Sequence, residues 1–120
     1  MSNGISFGFT AYPVADIERA KTFYRDVVGL GEANVFSDDY VEFDLGNAAF
    51  GLDATGEALG FPPGSASGVA FEIGDYEAAL ERLRSHGADV FHEFDGPTCR
   101  VAFVRDSEGN GFTIHQLKKR

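Results

Sequence analysis

Two stretches of the chain carry the same hydrophobic rhythm. Residues 9–30 read FTAYPVADIERAKTFYRDVVGL, and residues 68–90 read GVAFEIGDYEAALERLRSHGADV. Each starts as a short run of β-branched and aromatic residues, the signature of a strand. Each then reaches an aspartate, Asp16 or Asp75, whose carboxylate can accept the orphan backbone N–H groups of a helix start. Glu18 and Glu77 follow two places later, where negative charge suits the helix N-terminus. Beyond them the apolar residues recur near every 3.6 positions. Ile17, Ala20, Phe23, Tyr24 and Val27 mark one helix face, and Tyr76, Ala79, Leu80 and Leu83 mark the other. Gly29 and Gly31 close the first helix, and Gly87 closes the second.

Three strand-like runs follow each helix. In the first half they cover about 31–36, 40–46 (YVEFDLG) and 48–54 (AAFGLDA). In the second half they cover 89–94 (DVFHEF), 99–106 (CRVAFVRD) and 111–117 (GFTIHQL). Turn chemistry separates them: SDD and GN in the first half, DGP and SEGN in the second. The predicted class is therefore α+β, one domain over residues 1–120 built from two tandem βαβββ modules. Module one spans about 5–54 and module two about 68–117. Between them runs TGEALGFPPGSAS, residues 55–67, rich in Gly, Pro and small residues and long enough for a mobile linker. Paired modules can bury an apolar sheet face that one alone would expose, or curve around a shared concave cleft.

Composition narrows the functional classes. At 120 residues and 43% hydrophobic content, the chain can bury one real core. The net charge of −9 disfavours non-specific binding to nucleic acid or to an anionic membrane surface. No apolar run approaches the roughly 20 residues of a membrane span. The start, MSNGISFGF, lacks a basic region followed by a long apolar stretch, and Cys99 is the only cysteine. A cytoplasmic protein is the expectation.

The duplicated layout, the phrase VADIERAKTFYRDVVGL and the closing DSEGNGFTIHQ resemble the vicinal oxygen chelate superfamily. That group contains glyoxalases, extradiol dioxygenases, fosfomycin-modifying enzymes and bleomycin-resistance proteins. The resemblance covers nearly the whole chain. It implies a curved sheet from each module with the cleft on the concave side, and a homodimer. Metal-using members place one ligand, often His or Glu, on the first and last strand of each module. The spacing of this motif points to Phe9 and Gly68 on the first strands and Thr113 on the last. In module one it points to Gly51, or to Phe50 by direct counting from Asn47. None offers an imidazole or a carboxylate, and Thr113 offers only a hydroxyl. The expectation is a cleft with no metal and no other cofactor. The alternative is a divalent ion held by unusual ligands such as His115, His92, Asp53 and Glu72.

Strand alternation supplies the cleft's own candidates. If Phe9 and Gly68 face inward, so do Phe7, Ala11, Ala70 and Glu72. If Thr113 and Gly51 face inward, so do Gly111, His115 and Asp53. His115 can act as acid, base or hydrogen-bond partner near neutral pH, or simply end a strand. Asp53 can serve a ligand or start the linker turn. Glu72 can serve or stay solvated at the rim. Arg100 can bind an anionic group or balance neighbouring acids. Cys99 reads as a small buried residue, His92 as exposed on an edge strand and His86 as a helix C-terminal residue. Phe50, Tyr40, Phe61 and Phe103 read as core, with Phe61 also able to act as a lid. The expected ligand is a small apolar or aromatic molecule, and the acidic charge suits a cationic or neutral one. The competing reading is an enzyme of lyase, isomerase or dioxygenase type, using His115 with Asp53 or Glu72.

Overall fold

Both aspartates cap their helices. In a computed structural model describing residues 4–118, Asp16 accepts the Arg19 N–H at 3.0 Å and Asp75 the Ala78 N–H at 3.1 Å. The caps start α1 (Ile17–Thr22) and α2 (Tyr76–Ser85). The first helix departs from the expected 3.6 spacing: from Phe23 to Val28 it widens into a π-helical stretch. The wider turn carries the buried face through Ala20, Tyr24 and Val28. It ends at Gly29, whose φ of +92° lets its N–H return to the Tyr24 carbonyl.

The strands are β1 (Phe9–Pro13), β2 (Asn34–Ser37), β3 (Tyr40–Asp44) and β4 (Ala49–Asp53) in module one. Module two adds β5 (Val69–Glu72), β6 (Asp89–Asp95), β7 (Cys99–Arg105) and β8 (Gly111–Leu117). They form two mixed four-stranded sheets, ordered β1-β4-β3-β2 and β5-β8-β7-β6. In each, the strand before the helix pairs parallel with the module's last strand. This is the expected duplication, with β2 beginning three residues later than the sequence suggested because Gly31 and its neighbours complete the helix exit.

One face of each sheet is covered and the other is open. Tyr12, Val41, Phe43, Phe50 and Leu52 of module one, with Phe71, Ala102, Val104, Phe112 and Ile114 of module two, form a common core with both helices. Tyr24 is its hub: its ring lies 4.9 Å from Phe50 and 6.3 Å from Phe43, and 5.6 Å from Phe112 and 6.2 Å from Phe71. The first helix thus packs over both modules. At the seam the Tyr12 hydroxyl donates to the Gly111 carbonyl and accepts the Val69 N–H.

The turn DSEGN clasps the modules together. Asp106 accepts the Tyr24 hydroxyl at 2.5 Å. Glu108 accepts the Ala15 and Asp16 N–H groups and the guanidinium of Arg19, so it adds a second cap to α1. Burial alone would raise the Glu108 carboxyl, but these bonds outweigh it and hold the pKa at about 2. Burial has the upper hand at Asp106, whose carboxyl sits above the usual range. Asn110 has no exposed surface. Its Nδ2 donates to the Pro13 carbonyl, and its Oδ1 accepts the N–H groups of Gly64 and Ala66. The segment expected to be a mobile linker is therefore tied down. It contains a 3₁₀ turn (Gly56–Leu59) and is pinned by Asn110 to the end of β1.

Candidate functional site

Alternation along the strands decides which side chains reach the open faces. In β1, Tyr12 turns to the core while Phe9 and Ala11 remain exposed. In β3, Val41 and Phe43 are buried, which sends Tyr40 and Glu42 to the other side. In module two, Phe71, Phe112 and Ile114 point inward, and Ala70, Glu72, Thr113 and His115 fall on the open face.

The open face of module one is aromatic and acidic. The Tyr40 ring meets Phe9 edge-on at 6.4 Å and lies 6.0 Å from Phe36. Its hydroxyl donates to Glu42 at 2.7 Å. Burial, the Glu42 bond and the nearby charge of Asp53 all push the phenol's pKa upward, so it stays protonated. The ring lies directly over Gly51: a Cβ there would come within 2.4 Å of the Tyr40 hydroxyl oxygen. Asp53 stands opposite Tyr40 in the strand register. Its Oδ1 accepts both the N–H and the hydroxyl of Thr55, which starts the segment joining the modules. The same aspartate borders a cavity of about 350 Å³ between β1, β4 and that segment. Ala11, Pro13, Leu59, Phe61 and Ala66 supply its apolar walls.

The open face of module two carries a carboxylate–imidazole pair. Glu72 and His115 are direct partners in the β5–β8 register. His115 Nδ1 lies 2.6 Å from Glu72 Oε1, and Glu72 Oε2 accepts the Leu117 N–H at 2.9 Å. A carboxylate can only accept, so Nδ1 is the donor in this bond and Nε2 is not engaged by Glu72. Of the two acids paired with His115 on sequence grounds, the structure joins Glu72 to it. Asp53 belongs to the other sheet and is bonded to Thr55.

Other expectations fall differently. Phe7 is exposed just before β1 and Thr113 is half-buried on the open face. Arg100 turns to the helix side: it pairs with Glu77 at 2.5 Å and lies over the Tyr76 ring. Of its two readings, the balancing of neighbouring acids is the one realised, because adjacent residues on β7 face opposite ways. Phe61, read as core, is 61% exposed and borders the cavity. Sequence reasoning passed over Glu42 and counted Tyr40 as core. The alternation in YVEFD, with Val41 and Phe43 taking the core positions, was the available signal.

This duplicated fold has many relatives. The family model described as "Glyoxalase/Bleomycin resistance protein/Dioxygenase superfamily" matches residues 6–114. The chain belongs to this superfamily. A probable lactoylglutathione lyase of Vibrio parahaemolyticus is 25% identical over 99% of this chain and 95% of its own length. TnmS3, an antibiotic binding protein from Streptomyces sp. CB03234, is 26% identical with a TM-score of 0.77, covering 98% of this chain and 100% of that one. The fosfomycin resistance protein FosX from Mesorhizobium loti shares the fold at 20% identity and a TM-score of 0.65, over 97% of this chain and 93% of its own.

None of the residues at the four positions weighed as metal ligands carries an imidazole or a carboxylate. Phe9 offers a phenyl ring, Gly51 and Gly68 have no side chain, and Thr113 brings a hydroxyl. At Gly51 the Tyr40 ring fills the space into which a carboxylate would have to grow. Among the described residues no three His, Cys, Asp or Glu side chains are placed to hold an ion together, and no helix is long and apolar enough to cross a membrane.

Proposed function

We propose that this member of the glyoxalase/bleomycin-resistance superfamily binds a small apolar or aromatic molecule on its open sheet face, without a metal. The observation that carries the reading is the arrangement at Gly51. The position from which a metal ligand would project is roofed by Tyr40, and that ring joins Phe9 and Phe36 in an aromatic floor. Flat apolar ligands gain from such a floor by burial and by edge or offset ring contacts. The similarity to TnmS3, described as an antibiotic binding protein, supports the same reading. Phe7, Phe9 and Thr113 are the further ligand contacts, with Asp53, Glu72 and His115 as polar ones. A homodimer belongs to this reading: Val35 and Phe94, outside that floor, are each more than half exposed in the single chain, and a second copy would cover them. A thermal-shift screen of the chelator-treated protein against small aromatic compounds tests it. Ligands that raise the melting temperature of the wild type, but not of Phe9→Ala, are expected. Stabilisation that appears only after a divalent metal is added would overturn it.

A second reading is favoured by one contact. The 2.6 Å Glu72–His115 pair orients an imidazole whose Nε2 can take a proton from a bound substrate. His115→Ala separates the two readings. Retained ligand affinity with abolished turnover supports an enzyme; an effect on affinity alone supports a binding protein.

A further inference from the structure

Asp53 borders its cavity with no basic side chain paired to it among the described residues. Among the described residues, the arginines and lysines are all committed elsewhere. Seven of them bond to carboxylates, none to Asp53 or Glu42, and Arg82 bonds to the Val28 carbonyl. The carboxylates of module one's open face therefore have no basic side chain as ion-pair partner within the described chain. Asp53 is only partly exposed, and both bonds from Thr55 end on Oδ1, which leaves Oδ2 as an acceptor. The carboxylate borders a cavity whose other walls are mostly apolar, Ser65 being the exception with its hydroxyl donated to the Pro62 carbonyl. In such surroundings an unpaired carboxylate loses solvation that an arriving cation would restore. Tyr40 stands opposite Asp53 in the strand register, so an aromatic ring is available close to the carboxylate for a cation to approach. The net charge of −9 raises the local concentration of cations throughout.

We propose that the cavity holds a protonated amine or similar organic cation set against Asp53, with the attached aromatic body on the Phe9–Tyr40 floor. This rests on the binding reading above and adds the ligand class: cationic aromatic molecules, in preference to neutral or anionic ones of the same shape.

Three isosteric probes test it at neutral pH and low salt by isothermal titration calorimetry: naphthylmethylammonium, naphthylmethanol and naphthoate. The ammonium binds at least about tenfold tighter than the alcohol, the equivalent of one good desolvated ion pair, and naphthoate binds weakest. The preference shrinks as salt is added. Asp53→Asn keeps an oxygen for Thr55 and removes the charge. It brings the ammonium to within about twofold of the alcohol, both measured on that variant. Equal binding of ammonium and alcohol, or a preference that survives Asp53→Asn, overturns the cation site while leaving the binding reading intact. Binding by none of the three overturns both. Should Asp53→Asn not fold, the probe order and its salt dependence on the wild type decide alone.

Discussion

Asn110→Ala should be strongly destabilising. The side chain is fully buried and makes bonds of 2.8, 2.9 and 3.1 Å, to the Pro13 carbonyl and to the N–H groups of Gly64 and Ala66. Truncation strands the Pro13 carbonyl in a buried site, a loss of about 1–3 kcal/mol. The two N–H groups lie in a surface segment where water can replace the amide, so each loses about 0.5–1 kcal/mol. Together these come to about 2–5 kcal/mol, a large part of the roughly 5–15 kcal/mol that holds a domain folded. With a guanidinium m-value of about 3 kcal/mol/M for a chain this size, the midpoint falls by roughly 1 M. Chemical denaturation followed by circular dichroism reads this directly. A drop of less than about 0.3 M, under 1 kcal/mol by the same m-value, would refute the idea that Asn110 fastens the intermodule segment. Because that segment walls the Asp53 cavity, amide exchange over residues 55–67 should quicken in the same variant.

Further expectations follow from the same contacts. Tyr24→Phe removes the hydroxyl held by Asp106 and should destabilise by about 2 kcal/mol in urea unfolding, since the bond meets a carboxylate inside the core. Glu108 has its pKa lowered to about 2 in the folded chain, so its stabilisation is present above its unfolded value near 4.5 and disappears as pH falls from there toward 2. Glu108→Gln should be less stable than wild type at neutral pH and should flatten that part of the acid titration; an unchanged acid limb would count against the clasp. Asp106, with its pKa raised by burial, works in the opposite sense, its contribution declining as pH rises past its elevated value. Gly51→Ala places a methyl 2.4 Å from the Tyr40 hydroxyl oxygen, so the ring must leave its place against Phe9, and aromatic ligands should bind roughly tenfold more weakly in a fluorescence titration. Sedimentation should give twice the mass of the single chain, and a monomer at micromolar concentration would remove the homodimer from the account.

Much of the architecture was legible because each module repeats its own signals. Asp16 and Asp75 stop a strand and start a helix by the same bond, and period-2 patterns such as VAFE place their faces without ambiguity. The π-helical stretch was not legible, since Phe23, Tyr24 and Val27 fit an ordinary helix as well; what selects it is the docking of Tyr24 between both modules. The motif DSEGN could be recognised and used for register. Its work as a clasp depends on partners more than 40 residues away in sequence, which no local pattern announces. At the site, the facing of Glu72 and His115 was available from alternation, but which acid His115 joins depended on the pairing of β5 with β8. Arg100 illustrates the opposite limit: a basic residue near a cleft strand looks equally useful on either side until the position of α2 turns it toward Glu77.

The central claim is that the open face binds its ligand through an aromatic floor and without a metal. The most direct measurement is calorimetric titration of the chelator-treated protein with naphthylmethylammonium, repeated after adding one equivalent of zinc or nickel. The account predicts the same affinity in both titrations, lost in Phe9→Ala. Binding that requires the metal and is indifferent to Phe9 would contradict it.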